Sequence, residues 1–307
     1  MIRFSYEIPT RNLLQPSGKY IHIPGFNTTM NTIKTQTTKL KAKRTFFKKG
    51  TCSRTFFYIL DREFGHPMDE EEKASDMLAG GIMQQGYQCG MLWGATMAIG
   101  AESFRRFKDH NTAIGIALRV SRQILDSFKE KAGSIECADI TGCDMTKAKG
   151  LAKFFFRGKF VTCYKLTGKW AAEAVKVAEE GLSSDQSDLP EKPMSCASEL
   201  VRKMGGTDHE ITMVAWFAGG LGLSGNGCGA LAAAVWMNAL KFNRKQSDRS
   251  SAKNPDSDKI LEAFNLKTDY EFECHKICGQ KFNSVEEHTE FIKTGGCEKL
   301  IDVLAQF

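Results

Sequence analysis

Apolar residues recur at three- and four-residue intervals along most of the chain, which is the period of an amphipathic helix. Phe56, Leu60 and Phe64 form such a stripe after Cys52, and Leu200, Val201 and Met204 form another after Cys196. Ile114, Leu118, Leu125 and Phe128 line a third, in a segment opened by the capping residues Asn111 and Thr112. The alanine-rich run Trp170 to Glu180 predicts a further helix that stops at Gly181. Strand-like alternation is scarce. The short run Phe154 to Tyr164 (FFFRGKFVTCY) reads as a strand or hairpin, since brief apolar runs do not distinguish the two periods. The pattern predicts a mostly α protein.

No apolar stretch reaches the roughly 20 residues needed to span a bilayer. The nearest, Met213 to Phe242, is broken by Gly222, Gly225 and Gly227 around Ser224 and Asn226, and reads as two buried half-helices joined by a glycine turn. The length of 307 residues suits two domains. Polar segments punctuate the pattern: Gly181 to Pro193, with Pro190 and Pro193, reads as a linker, and NRKQSDRSSAKNPDSD as a surface loop. The net charge of +6 is uneven, because residues 1–50 hold ten Lys or Arg against Glu7 alone. This N-terminal segment reads as a solvated basic tail, with weak contact to anionic surfaces as its lesser use; no specific nucleic-acid binding is expected. Without a charged-then-apolar leader pattern, the chain is read as cytoplasmic.

Ten cysteines change the picture, because eight fall into two copies of one pattern. Cys52, Cys89, Cys137 and Cys163 are spaced x36, x47 and x25; Cys196, Cys228, Cys274 and Cys297 are spaced x31, x45 and x22. AGGIMQQGYQCG, ending at Gly90, aligns without a gap on AGGLGLSGNGCG, ending at Gly229. Ile-Glu-Cys at Cys137 matches Phe-Glu-Cys at Cys274, and Cys-x-Lys-Leu recurs at Cys163 and Cys297. A repeat of this length is a duplicated domain rather than a solenoid period. It divides the chain into a tail (1–49), a first four-cysteine domain (50–182), a linker (183–193) and a second domain (194–307) of similar helical structure.

On these residues the chain resembles the C_GCAxxG_C_C family, whose members carry four hallmark cysteines and to which redox activity is ascribed. The family's CGAxxG motif reads CGMLWG from Cys89 to Gly94 and CGALAA from Cys228 to Ala233. Each copy departs once, at Met91 and at Ala233, and both departures bear on packing of the following helix rather than on the thiol. The resemblance covers about residues 50–180 and 194–307.

Cys89 and Cys228 follow glycine-bearing turns and open helices, where unpaired amides favour a thiolate. Cys52, Cys163 and Cys297 are also expected near helix starts. Gly80-Gly81 and Gly219-Gly220 are expected to adopt positive φ or to admit a close neighbour. No CxxC pair occurs, which removes thioredoxin-like, zinc-ribbon and ferredoxin signatures. Phosphate-loop and HExxH motifs are absent too. The leading expectation is thiol–disulfide or electron-transfer chemistry by an oxidoreductase using all eight hallmark cysteines. Cys89 and Cys228 would attack, Cys228 the faster of the two, and the reaction would need no cofactor, only a redox partner. The alternatives are a zinc or iron–sulfur module held by the same cysteines, and a non-catalytic interaction protein in which they are packed. Cys143 and Cys278 stand at unmatched offsets and are read as incidental. His275, beside Cys274, has no counterpart in the first copy, where Ala138 stands.

Overall fold

The computed structural model describes residues 41–184, 189, 192–246 and 254–307. The tail to residue 40, most of the linker's polar centre and the middle of the second-copy loop lie outside these residues. The fold is 69% helical, and the described residues contain no strand, only the bridges Gln88–Glu136 and Gly227–Glu273. Residues 41–49 are helical and form α1. The first copy continues with α2 (Cys52–Glu63), α3 (Asp69–Ala74), α4 (Gly90–Arg106), α5 (His110–Ala132), α6 (Cys137–Thr141), α7 (Ala148–Phe156) and α8 (Phe160–Leu182). The second runs through α9 (Cys196–Lys203), α10 (Asp208–Met213), α11 (Gly229–Lys245), α12 (Asp256–Thr268), α13 (Cys274–Ile277), α14 (Val285–Lys293) and α15 (Glu298–Leu304).

α4 and α11 are apolar on nearly every face, and such helices must lie in the interior. α4 is buried from Gly90 to Ser103 and α11 from Gly229 to Leu240. α4 is surrounded by α2, α5, α8 and α10; α11 by α9, α3, α12 and α15. The exchange of α3 and α10 across the two copies is reciprocal, as in a two-fold dimer. One buried cluster consequently runs from Ala42 to Leu304 through both copies. Across the join Trp93 meets Phe217 edge-on with centroids 4.6 Å apart, and Tyr87 stacks on Phe272 at 5.1 Å. The buried Gln88 amide donates to Gly220 O at 2.6 Å.

Three local readings are corrected. Phe154 to Tyr164 is neither strand nor hairpin: α7 ends at Phe156, Gly158 turns the chain at φ 64°, and α8 begins at Phe160. α8 also runs through Gly181 to Leu182, where Trp170 packs on Phe56 and Phe128. α5 is capped not by Asn111 or Thr112 but by Asp109, which accepts the Thr112 N–H, and it closes on left-handed Gly133.

The repeated glycine block forms a feature that glycine alone does not specify. Gly80, Gly81, Ile82, Met83 and Gln84 all have positive φ, as do Gly219, Gly220, Leu221, Gly222 and Leu223. Each run is a left-handed turn closed by the same long-range amides: Met83 to Met77 O, Gln84 to Ala79 O and Gly86 to Gly80 O, then Gly222 to Trp216 O, Leu223 to Ala218 O and Gly225 to Gly219 O. A non-glycine residue pays about 1–2 kcal/mol in this conformation. An alanine Cβ at Gly81 would stand 2.3 Å from Tyr87 O, so this glycine is required twice over.

Candidate thiol sites

The turns deliver backbone to the hallmark cysteines. After each turn the chain returns in an extended segment whose amides register with the second and third cysteines. Cys89 N–H donates to Ile135 O and Cys137 N–H to Tyr87 O, both at 2.7 Å. Cys228 N–H donates to Phe272 O at 2.8 Å and Cys274 N–H to Asn226 O at 2.6 Å. The second and third cysteines of each copy are thus tied together by one backbone pattern. Cys52 and Cys196 are the first residues of α2 and α9, Cys89 and Cys228 cap α4 and α11, and Cys137 and Cys274 open α6 and α13. Cys163 lies in the first turn of α8, and Cys297 caps α15 at φ 61°. All ten cysteines are free thiols.

In the first copy the Cys52 pKa falls to about 7, first through hydrogen bonding with the Cys89 thiol. Burial works against it, while the N–H groups of Gly80, Ser53 and Cys52 itself add to the lowering. The Gly80 amide is the first of the left-handed turn, so the turn contributes an anion-binding donor of the kind found in backbone nests. The same bond to Cys52, together with burial, raises Cys89 well above its ordinary value. Burial pushes Cys137 well up and Cys163 to about 12, with the Cys52 charge adding to both. Cys52 is also the partly exposed member of the four.

The motif glycines make room for this contact. A Cβ at Gly90 would lie 2.5 Å from Cys52 Sγ, and one at Gly94 would lie 1.9 Å from Ser53 O. Gly94 therefore lets α4 touch the backbone of α2's first turn. Ala233 occupies the matched place in α11.

The second copy differs. Burial raises Cys228 to about 12, although Leu231 and Ala230 N–H groups at the head of α11 donate to it. Burial raises Cys196 well up too, with the fields of Cys297 and Cys228, against a donor bond from Gly219. Cys278, read from the sequence as incidental, stands between two hallmark cysteines. Its Sγ is 3.8 Å from Cys274 Sγ and 3.6 Å from Cys297 Sγ. The bond with Cys278 is the strongest influence on Cys274 and lowers its pKa, but burial and the neighbouring thiols leave it above the ordinary value. Cys278 and Cys297 are both raised, each first by its bond to the neighbouring thiol. Cys143 has a parallel place: it is buried with Cys137, Met145 and Phe154, and its charge reaches both Cys137 and Cys163.

Of the two thiols expected to be the acidic ones, Cys89 is raised first by its bond to Cys52 and Cys228 first by burial, whereas the lowered pKa falls on Cys52. His275 turns its Nδ1 to Gly225 O at 2.8 Å and takes no sulfur partner. Among the described residues no group of three or more His, Cys, Asp and Glu is arranged to hold a metal ion. No described helix is long and apolar enough to cross a membrane.

Residues 51–177 and 194–307 each match the family model described as "Putative redox-active protein (C_GCAxxG_C_C)". The two matches cover most of the chain, which belongs to this family as a tandem, two-copy member. No curated protein and no solved structure matches it.

Proposed function

We propose that the chain is a thiol–disulfide oxidoreductase whose first copy reacts through Cys52 and resolves through Cys89. The carrying observation is the seating of Cys52 Sγ against the head of α4, where a Cβ at Gly90 would lie 2.5 Å from it; beside it, the Cys52 pKa is lowered to about 7, first by the Cys89 thiol. A pKa of about 7 leaves roughly half of Cys52 as thiolate at neutral pH, and the thiolate is the nucleophile. Cys52 S⁻ attacks a substrate disulfide R–S–S–R, forms a mixed disulfide and expels RS⁻. Cys89 then loses its proton and attacks the Cys52 sulfur, forming the internal disulfide and expelling the second RS⁻. The protein loses two electrons and one thiol proton, and the substrate disulfide gains the electrons as two thiolates. Reduction of the internal disulfide by a dithiol partner reverses the cycle.

In the second copy the Cys274–Cys278–Cys297 contacts support a separate pair centred on Cys278. The sulfurs must close from van der Waals contact to about 2.05 Å to bond.

The test is stoichiometric oxidation of the reduced protein by an aromatic disulfide, followed by non-reducing peptide mapping. The expected product is a Cys52–Cys89 cross-link with two aryl thiolates released. A stable mixed disulfide on Cys52 with Cys89 still free would refute the resolving role, and unreacted Cys52 would refute the mechanism.

A further inference from the structure

α7 is built the wrong way round for a core helix. Leu151, Phe155, Ala148, Ala152 and Phe156 fall within an arc of about 140° on its helical wheel, at about 100° per residue. That arc faces outward: Phe156 is 91% exposed, Phe155 59% and Leu151 37%. The opposite side faces the protein. A Cβ at Gly150 would lie 1.6 Å from Asp144 O, and Phe154 packs on the Cys137–Cys143–Met145 cluster. Phe160, just past the Gly158 turn, is a further 44% exposed.

The sequence from the head of α7 into α8 is strongly basic, with Lys147 paired to Asp144 at 2.8 Å. Lys147, Lys149, Lys153, Arg157, Lys159, Lys165 and Lys169 carry seven positive charges, with no acid between Asp144 and Glu173. Lys149, Lys153 and Arg157 line a shallow cavity of about 420 Å³ beside Phe156. The adjoining α1 is also basic: its Lys43 lies over the Tyr164 ring and its Phe46 packs on it edge-on.

We propose that α7 and the start of α8 form a docking surface for an anionic phospholipid bilayer, with Phe155, Phe156 and Phe160 entering the interface and the flanking cations meeting headgroup phosphates. A short helix with an aromatic-aliphatic face and a Lys/Arg border is the composition of an interfacial helix. A second copy of this chain does not fit, because an isologous contact would set the seven cations against each other. A stacking platform for single-stranded nucleic acid is a charged groove that tracks a backbone, whereas these rings project from a convex ridge alongside Leu151 and two alanines. This surface is independent of the thiol chemistry.

The test uses the full reduced chain and vesicles of phosphatidylcholine with and without about 30% phosphatidylglycerol. Co-sedimentation is expected with the anionic vesicles at ~0.15 M salt and should fall steeply at ~0.5 M, where charges are screened. The exposed double variant Phe155→Ser/Phe156→Ser should bind at least tenfold more weakly with an unchanged circular dichroism spectrum. Phe156→Trp should show a blue-shifted emission on vesicle addition, reporting insertion of α7 rather than attraction of the basic tail. The proposal is overturned by absent vesicle binding, by binding indifferent to the double variant, by an unshifted emission spectrum in Phe156→Trp, or by Phe-dependent binding of oligo-dT without vesicle binding.

Discussion

Cys89→Ala isolates the interaction on which the thiolate assignment rests. The Cys89 hydrogen bond is the largest influence holding Cys52 at about 7, and burial, the next largest, acts in the opposite direction. Without the bond, Cys52 should titrate at about 9 or higher, a loss of about 3 kcal/mol of preference for the thiolate. The thiolate fraction at pH 7 then falls from about one half to about one hundredth. Raw reactivity falls less, because a more basic thiolate is roughly sevenfold more nucleophilic over that range at a Brønsted slope of 0.4–0.5. The net loss in alkylation rate at pH 7 is therefore only about sevenfold, and at pH 10 the variant should be the faster protein. The assay is the Cys52-resolved iodoacetamide rate from pH 5 to 10 in the reduced, full-length chain. Its inflection should move from near 7 to 9 or above in Cys89→Ala and stay low in Cys89→Ser, whose hydroxyl still donates. An inflection unmoved in Cys89→Ala would refute the hydrogen-bond account and leave the backbone amides to explain the low pKa.

Gly94→Ala places a Cβ 1.9 Å from Ser53 O, so urea unfolding should show a loss of about 1–3 kcal/mol or more, the usual cost of overpacking. An unchanged midpoint would contradict the close α2–α4 approach. Glu136 has its pKa raised to about 7 by burial, against an ordinary 4.5, while Asn226 of the other copy donates to it. A raised carboxyl favours the fold fully below pH 4.5, and that contribution is lost as pH rises through about 7. The gap corresponds to at most about 3 kcal/mol. Glu136→Gln should therefore gain stability relative to the parent between pH 5 and 8, measured by denaturant unfolding at both; a constant difference would refute the assignment. Cys278→Ser should abolish oxidation-induced cross-linking to Cys274 or Cys297 while leaving Cys52–Cys89 formation intact, as read by peptide mapping. A surviving Cys274–Cys297 link would show that Cys278 is not required as their intermediary.

The helical class was legible because period and the scarcity of alternation agreed across both copies. The glycine pairs were legible too, since repeated Gly-Gly before a cysteine implies a backbone state that other residues avoid. The three residues after each pair were not fully readable. Ile82, Met83 and Gln84 enter the left-handed region against their own preference, and only the surrounding hydrogen bonds and packing hold them there. The contacts of Cys278 were unreadable for a related reason. Matched spacing is a test of descent, whereas the Cys278 sulfur meets its neighbours from the end of the four-residue α13. A helix start can be seen in sequence, but the burial that raises Cys228 and the thiol contact that raises Cys89 cannot. FFFRGKF misled through its apolar density. Its phenylalanines mostly face outward, and nothing in a local pattern says on which side the core will lie.

Duplication has left two sites with one scaffold and different sulfur contacts. Both copies keep the left-handed turn, its amide to the first cysteine, and the backbone pairing of the second with the third. The first copy keeps Gly94, so α4 closes onto α2 and Cys52 meets Cys89. In the second copy Ala233 stands at the matched place, Cys228 accepts from the amides of its own helix, and no comparable bond draws Cys196 down. The thiol contacts there shift instead to Cys274, Cys278 and Cys297, around a cysteine with no register equivalent in the first copy. The shared core ties the two copies together: with α3 on α11 and α10 on α4, each completes the burial of the other's central helix.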